Sequence, residues 1–233
     1  MISLSFDTAV DSLRPFTLTD FDASLDKLIA EAKEELAQKV ATQSDGESAT
    51  WGFFPELNPN LAEYPACVAL RVWFDREFLQ LPPLRPFVLQ LAFIRLATSE
   101  PRSSFGGLHI DASAGIDHVP PQGRDPASNT ILRVLINLYN EPRQLQYASE
   151  SIDDLRAVGA DIHKDHYKIV RLPSIISLKK YDVQPRQSGA IHGIMFDSGK
   201  TLHAGKTNEQ GHFLLSYGGY ATEAAIGQLF AAG

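Results

Sequence analysis

The sequence predicts a mainly β fold with flanking helices. Helical periodicity is confined mainly to the first third of the chain, whereas strand-like segments separated by Gly, Pro, Asn and Asp clusters follow one another from residue 87 onward. A chain of 233 residues, 44% of them hydrophobic, is long enough to bury a full core as one domain. We therefore expect a single domain over residues 1–233, with a mainly helical part at 1–86 and a β core at 87–221.

The first helix is predicted over residues 18–43. Acidic residues lie near its start, and its apolar residues recur with the 3.6-residue period of a helix. These apolar residues are Leu25, Leu28, Ile29, Ala32, Leu36 and Val40. The polar residues that follow predict a loop. Residues 60–78 then predict a second helix, for which a strand from Val68 to Phe74 is the alternative.

Strands are predicted where β-branched and aromatic residues cluster between turn residues. The first, at residues 87–96, is bounded by prolines and by Ser-Glu-Pro. The others lie at residues 106–112, 130–139, 167–180, 190–197 and 211–221. Because residues 140–168 are polar and charged, we expect an insertion or long loop there, with a short helix around residues 150–158.

The composition excludes several classes of protein. With 21 Lys and Arg against 28 Asp and Glu, the formal net charge is −7, and the basic residues are not clustered, so nucleic acid is not expected as a partner. The single cysteine, Cys67, excludes an internal disulfide framework and any multi-cysteine metal site. The sequence shows no signal peptide and no apolar stretch near the roughly 20 residues of a membrane span, so we expect a soluble, cytoplasmic protein without a membrane partner.

The short string Gly-Gly-Leu-His109-Ile-Asp111 carries two side chains that can bind a metal. If it forms the end of a strand, His109 and Asp111 lie at i and i+2 on one face, with their Cα atoms about 6.6 Å apart. A second segment, Leu-His203-Ala-Gly, lies between two strand-like segments and supplies a third ligand from across the β structure. Two histidines and a carboxylate leave one face of the ion open, which is the arrangement of non-haem Fe(II) oxygenases.

These segments resemble the Fe(II)/2-oxoglutarate oxygenases. The order of Phe-Ile-Arg-Leu at 93–96, His-x-Asp at 109–111, Thr-Ile-Leu-Arg-Val-Leu-Ile-Asn-Leu at 130–138 and the His203 turn is similar to that of the aspartyl/asparaginyl β-hydroxylases and proline cis-hydroxylases, over residues 87–220. The resemblance implies a double-stranded β-helix, or jelly roll, for the β core, with N-terminal helices bracing one sheet. It also implies Fe(II) as the cofactor, 2-oxoglutarate as the co-substrate, and dioxygen and a small-molecule substrate as partners.

Within that resemblance, residues on two strands are expected to bind the co-substrate. Arg133 and Asn137 share a face of the predicted strand 130–139, and an arginine on the matching strand of the family helps to hold 2-oxoglutarate. The family normally carries an Arg or Lys on the last strand, where this sequence has His212 and Ser216, which can hydrogen-bond a carboxylate. Either Arg133 anchors the co-substrate from its own strand, or 2-oxoglutarate is not the co-substrate.

The predicted function is a non-haem Fe(II) oxygenase that hydroxylates or desaturates an unactivated C–H bond of a small molecule, with no catalytic residue beyond the metal ligands. Two alternatives stay open at this point: an Fe(II) oxidase or oxygenase that does not use 2-oxoglutarate, and an inactive jelly-roll binding module. Among the other histidines, His192 is the alternative to His203 as a ligand. His118, His163 and His166 are expected in loops.

Overall fold

Strands outnumber helices in the computed structural model, which describes residues 2–42, 48–52, 63–98, 108–111, 129–162, 169–171, 176–206 and 211–231. The helices in these residues are α1 (Ala23–Thr42), α2 (Pro65–Glu77), α3 (Ile152–Ala157) and α4 (Glu223–Ala231), with a 3₁₀ turn at Pro82–Leu84. The strands are β1 (Ser3–Phe6), β2 (Leu13–Thr19), β3 (Ser48–Gly52), β4 (Val88–Ala97), β5 (Asn129–Asn137), β6 (Arg143–Ser151), β7 (Asp161–Ile162), β8 (Ile169–Arg171), β9 (Lys179–Val183), β10 (Ile191–Asp197), β11 (Thr201–Lys206) and β12 (His212–Thr222).

The strand order is that of a jelly roll. The larger sheet has the order β1-β2-β10-β5-β12-β4-β3, and the smaller sheet has the order β11-β6-β9. An antiparallel bridge between His109 and His203 adds residues 108–111 to the β11 edge of the smaller sheet. Thus β4 pairs with β12, the His109 segment with β11, β5 with β10, and β6 with β9, so the two halves of the chain pair in reverse order. This pairing confirms the predicted double-stranded β-helix.

Strand β5 shows how the larger sheet separates two environments. Leu132, Val134 and Ile136 are completely buried on its outer face, in the apolar core that also contains the buried faces of α1 and α2. Leu135 points to the inner face, where it packs against residues of both sheets. Arg133 is on the same inner face because side chains alternate along a strand. The two faces agree with the alternation that the sequence predicts.

The two N-terminal helices pack against the outer face of the larger sheet. In α1, the predicted apolar positions are buried except for Leu28, which is partly buried at the edge of the core. The predicted second helix is confirmed by α2, and the alternative strand from Val68 to Phe74 is wrong. The buried residues of α2 are Cys67, Leu70, Trp73 and Phe74. Burying each large apolar side chain contributes about 1.5–3 kcal/mol.

Of the helices in the described residues, none is long and apolar enough to cross a membrane.

A carboxylate from α1 satisfies the start of α2. The helix begins at Pro65, which suits a first turn because proline lacks an N–H group. The Glu35 carboxylate accepts hydrogen bonds from the N–H groups of Ala66 and Cys67, at 3.1 and 2.9 Å. Burial and this nearby carboxylate raise the pKa of the Cys67 thiol, so the cysteine stays protonated. Glu35 therefore joins the two helices and supplies the acceptor that the start of α2 otherwise lacks.

Three strands lie in the N-terminal part, which the sequence predicted only as mainly helical. β1, β2 and β3 extend the larger sheet at its two edges, so residues 1–86 contribute to the barrel wall as well as bracing it. Pro15 explains why β2 was not recognised, because a proline inside a run of residues argues against a strand. Pro15 is nevertheless paired with Ile194 of β10.

A second correction concerns residues 140–168, which were expected to form an insertion or long loop. Their first part is β6, the central strand of the smaller sheet. Leu145 and Tyr147 are buried on its inner side, whereas Gln144 and Gln146 are only partly buried. The strand has too few apolar residues to be recognised by composition. The short helix predicted around residues 150–158 is confirmed by α3, which begins with a capping box formed by Ser151 and its N3 residue.

We expect Glu35→Ala to lower the free energy of unfolding by about 1–2 kcal/mol, because two N–H groups of α2 lose their acceptor. Denaturant unfolding followed by circular dichroism measures this change. The matched control is Glu34→Ala, which removes an exposed carboxylate from the same helix and should change stability by less than about 0.5 kcal/mol. Equal effects of the two substitutions would contradict the capping role of Glu35.

Candidate metal centre

Three predicted ligands meet in the space between the two sheets. Ligand atoms of His109, Asp111 and His203 all lie within 4.8 Å of one another. Nε2 of His109 is 3.7 Å from Oδ1 of Asp111, and the centroids of the two imidazole rings are 4.4 Å apart. These distances leave room for one ion at about 2.0–2.2 Å from each ligand atom. The structure therefore brings together the three residues that the sequence pattern identified.

Backbone hydrogen bonds hold the ligand-bearing segments side by side. The N–H of His109 donates to the carbonyl of His203 at 3.0 Å, and the N–H of His203 donates to the carbonyl of His109 at 2.8 Å. The N–H of Asp111 donates to the carbonyl of Ser198, also at 2.8 Å. Because His109 and Asp111 are two residues apart in an extended segment, both side chains leave the backbone on the same side.

The His203 ring is held in the form that binds a metal. Its Nδ1 is 2.9 Å from the carbonyl of Thr201, and a carbonyl can only accept, so Nδ1 carries the proton and Nε2 keeps its lone pair. Burial lowers the pKa of His203 to about 4, with Asp111 opposing the shift and His109 adding to it. The ring is therefore neutral at pH 7. Phe196 packs edge-on against it, with the ring centroids 4.9 Å apart.

Arg133 lies on the predicted inner face, but its partner in the structure is the candidate ligand Asp111. The Nε and Nη2 atoms of Arg133 donate to the same carboxylate oxygen, Oδ2, at 3.0 and 2.6 Å. Burial raises the pKa of Asp111, but the charge and the hydrogen bonds of Arg133 act against burial, and the net shift is downward. The carboxylate is therefore ionised, with Oδ2 held by Arg133 and Oδ1 turned toward His109.

Asn137, which was predicted to bind the co-substrate, is hydrogen-bonded to the backbone in the structure. Its Nδ2 group donates to the carbonyls of Glu141 and Gln184 at 2.8 and 3.1 Å, and its Oδ1 accepts the N–H of Tyr139 at 3.1 Å. The residue is only 1% exposed. Both ends of the amide are therefore bonded to backbone that precedes β6 or follows β9, and Asn137 fixes these connections.

His212 and Ser216 lie on the inner face of β12, as predicted, and both are buried. Burial and the charges of Arg143 and Arg95 lower the pKa of His212 to about 2, so its ring is neutral and does not act as a cation. The Ser216 hydroxyl is buried and has no hydrogen-bond partner among the described residues. Neither residue therefore supplies the positive charge that the family resemblance implies for this strand.

Two partly buried arginines were not predicted from the sequence as site residues. Arg143 is on β6, which had been predicted as a loop, so no face was assigned to it. Arg95 is on β4, and it pairs with Leu214 in the register that puts it on the inner face with His212. The alternation of Phe93, Arg95 and Ala97 along the predicted strand 87–96 was the signal that could have identified Arg95.

The alternative ligand His192 is not part of the cluster. Its Nδ1 is 3.1 Å from the hydroxyl of Thr17 on β2. It lies four residues before Phe196 on β10, about 13 Å along the strand from the residue that packs against His203. His118, His163 and His166 lie outside the described residues.

The sequence of this chain matches no family profile and no curated protein. Comparison by fold finds HygX from Streptomyces hygroscopicus, solved with nickel and 2-oxoglutarate bound, at 14% identity over 91% of this chain and 83% of that chain, with a TM-score of 0.48. The Kdo hydroxylase KdoO, a non-haem Fe(II) α-ketoglutarate-dependent dioxygenase, matches at 14% identity over 90% and 79% of the two chains, with a TM-score of 0.43. The α-ketoglutarate-dependent epimerase SnoN from nogalamycin biosynthesis matches at 16% identity over 91% and 79%, with a TM-score of 0.43. Likeness this distant does not carry the assignment of fold or chemistry, which rests on the strand order and on the ligand geometry.

We expect the purified protein to bind one Mn(II) or Fe(II) ion per chain, and His203→Ala to weaken that binding by more than about 100-fold because one of three ligands is lost. Equilibrium dialysis under anaerobic conditions, with electron paramagnetic resonance of Mn(II), measures the affinity. His192→Ala is the control and should bind as the wild type does. Loss of binding in the control, with binding kept in His203→Ala, would assign the third ligand to His192.

Proposed function

We propose that the protein is a non-haem Fe(II) oxygenase that uses dioxygen and 2-oxoglutarate to oxidise an unactivated C–H bond of a small molecule. The observation that carries this proposal is the convergence of two imidazoles and one carboxylate on a single point inside a jelly roll. Three protein ligands on one side of an ion leave the other side open for exchangeable ligands. Hydroxylation and desaturation are both compatible with this arrangement.

The residues present fit iron. The donor set contains two nitrogen atoms and one oxygen atom, which suits Fe(II), and Asp111 is ionised and His203 neutral, as metal ligands must be. The same three donors also suit zinc, so metal affinity alone does not separate the two. The partly buried arginines beside His212 favour the oxygenase, because positive charges there can bind an anionic co-substrate.

Each side chain around the site has a definite part in the proposed chemistry. When bound, iron activates dioxygen while oxidation of 2-oxoglutarate to succinate and carbon dioxide supplies two of the four electrons required. Arg133 holds Oδ2 of Asp111, so Oδ1 would be the oxygen available to an ion. Phe196 covers one side of His203 and excludes water there. The carboxylate of Asp111 would take the place that a halide needs, which favours oxygenation or desaturation over halogenation.

The proposed partners are dioxygen and a small molecule. The net charge of −7 opposes binding to the phosphate backbone of nucleic acids. The single cysteine is buried and forms no disulfide, which agrees with a reducing compartment, and we propose a cytoplasmic location on that basis.

We expect the Fe(II)-loaded protein to convert 2-oxoglutarate slowly to succinate in the absence of its own substrate, with one dioxygen consumed per succinate formed and added ascorbate supplying the other two electrons. An oxygen electrode together with succinate quantification by chromatography measures both. Asp111→Ala should abolish the turnover because it removes a ligand, whereas Asp153→Ala, which removes an exposed carboxylate on α3, should leave it unchanged.

Other outcomes of this experiment separate the alternatives. Oxygen uptake that does not depend on 2-oxoglutarate would favour an iron oxidase that takes all electrons from its substrate. A protein that binds no divalent metal would be a binding module, and one that retains zinc and consumes no oxygen would be a hydrolytic site. Each of these results contradicts the proposal.

We expect Arg133→Met to weaken Mn(II) binding by about 10- to 100-fold, because Asp111 loses the group that holds its second oxygen. Arg133→Lys keeps the charge but cannot donate two parallel hydrogen bonds, so it should recover only part of the affinity. Equilibrium dialysis measures both variants. If Arg133→Met binds Mn(II) normally and instead loses affinity for 2-oxoglutarate, Arg133 binds the co-substrate, as the family resemblance implied.

A further inference from the structure

Ser198 lies in the turn between β10 and β11 and contacts two other parts of the chain. Its carbonyl accepts the N–H of Asp111 at 2.8 Å, and its own N–H donates to the carbonyl of Ile131 on β5, also at 2.8 Å. The residue is completely buried. One buried residue therefore ties the segment that carries a candidate ligand to the strand that carries Arg133.

The turn itself is fixed by hydrogen bonds at both of its ends. Oδ1 of Asp197 accepts the N–H groups of Gly199 and Lys200, both at 3.1 Å. The carbonyl of Thr201, where the turn ends, accepts the Nδ1 proton of His203. Backbone carbonyls from this one turn thus hold two of the three candidate ligands, one through its backbone and one through its ring.

The hydroxyl of Ser198 has two acceptors within reach. It donates at 3.2 Å to the carbonyl of Ile131, which already accepts the shorter bond from the Ser198 N–H. The same side chain also hydrogen-bonds to the carboxylate of Asp111. A hydroxyl has one proton to donate, and a hydrogen bond to a charged acceptor is stronger than one to a neutral acceptor. The carboxylate is therefore the preferred acceptor.

A second donor matters to Asp111 because Arg133 holds only one of its oxygens. Both N–H groups of Arg133 donate to Oδ2, so the carboxylate can still turn about that oxygen. The last side-chain torsion of an aspartate is broad in its preferences and does not fix the carboxylate plane by itself. A hydroxyl donated from the β10–β11 turn limits this rotation, and the Ser198 carbonyl fixes the backbone from which the side chain leaves.

We propose that Ser198 is a positioning residue of the metal centre, whose hydroxyl and carbonyl together orient Asp111 so that one carboxylate oxygen is presented to an ion. The proposal rests on the function proposed above. It adds to Arg133 a second residue that acts through Asp111, supplied by the turn that also holds His203. Ser198 does not bind the ion itself, since its polar atoms are engaged by Asp111 and Ile131.

We expect Ser198→Ala to weaken Mn(II) binding about 10-fold, because loss of a group that supports a metal ligand typically lowers metal affinity 10- to 100-fold. The substitution keeps the backbone carbonyl, so it tests the hydroxyl alone. Titration followed by electron paramagnetic resonance measures the affinity, and the zero-field splitting of bound Mn(II) reports the ligand geometry. This splitting should change in Ser198→Ala and return toward the wild-type value in Ser198→Thr, which restores a hydroxyl.

Ser12→Ala is the matched control. It removes a buried hydroxyl from the β1–β2 turn, and that hydroxyl has no hydrogen-bond partner among the described residues. Affinity for Mn(II) and the zero-field splitting should both stay as in the wild type.

A double-mutant cycle in the metal-free protein tests the same contact without any ion. Denaturant unfolding is compared for the wild type, Ser198→Ala, Asp111→Ala and the double variant. The bond to the Ile131 carbonyl is available with or without Asp111, so its contribution largely cancels. We expect Ser198→Ala to raise the unfolding equilibrium constant about 10-fold more in the presence of Asp111 than in its absence, as for a hydrogen bond to a charged group.

The outcomes separate this proposal from the proposed function. Unchanged Mn(II) affinity and zero-field splitting in Ser198→Ala would overturn the positioning role while the metal centre stands. A lower melting temperature of Ser198→Ala with an unchanged splitting would make the serine a support of the turn only, and would also overturn it. Additive effects in the cycle would reject the contact with Asp111. A wild type that binds no Mn(II) would instead overturn the proposed function, and the positioning role with it.

Discussion

The site depends on one pair of backbone hydrogen bonds, those exchanged between His109 and His203. They attach a short extended segment to the edge strand of the smaller sheet, and that attachment brings two ligands from one part of the chain to a third ligand from another. The remaining contacts refine the arrangement: Thr201 sets the tautomer of His203, and Arg133 holds one oxygen of Asp111. The positions of the three ligand side chains at this centre thus follow from strand pairing.

The features that could be predicted from the sequence are those with a local repeat. His109 and Asp111 share a face because side chains alternate along any extended segment, and the same rule gave the correct faces of Arg133 and of strand β5. The helix α1 was recognisable because its apolar residues follow a 3.6-residue period over five turns or so of chain. In each case the pattern and its structural cause lie within one element, so no knowledge of the partner strand was needed.

The features that were missed depend on partners that are distant in sequence. β6 is buried on one side only and has polar residues on the other, so its composition resembled that of a loop and Arg143 was not considered. Asn137 lies on the correct face, but the backbone carbonyls that occupy its amide come from two other connections. Likewise, alternation placed Arg133 inside the barrel but could not distinguish a co-substrate from Asp111 as its partner. The face of a strand on which a side chain lies follows from the local sequence, whereas its partner across the barrel does not.

The two faces of β5 constrain how this protein can vary in evolution. Apolar residues of the core and the arginine that holds Asp111 alternate along the same strand. A single-residue insertion or deletion within the strand would exchange the two sets, so that the core would receive a charge and the metal site an aliphatic side chain. A lineage cannot lose the site by such a change and keep a stable scaffold. Loss of activity by descent must therefore proceed through point substitutions or through changes outside β5, and insertions should accumulate in the connections between strands.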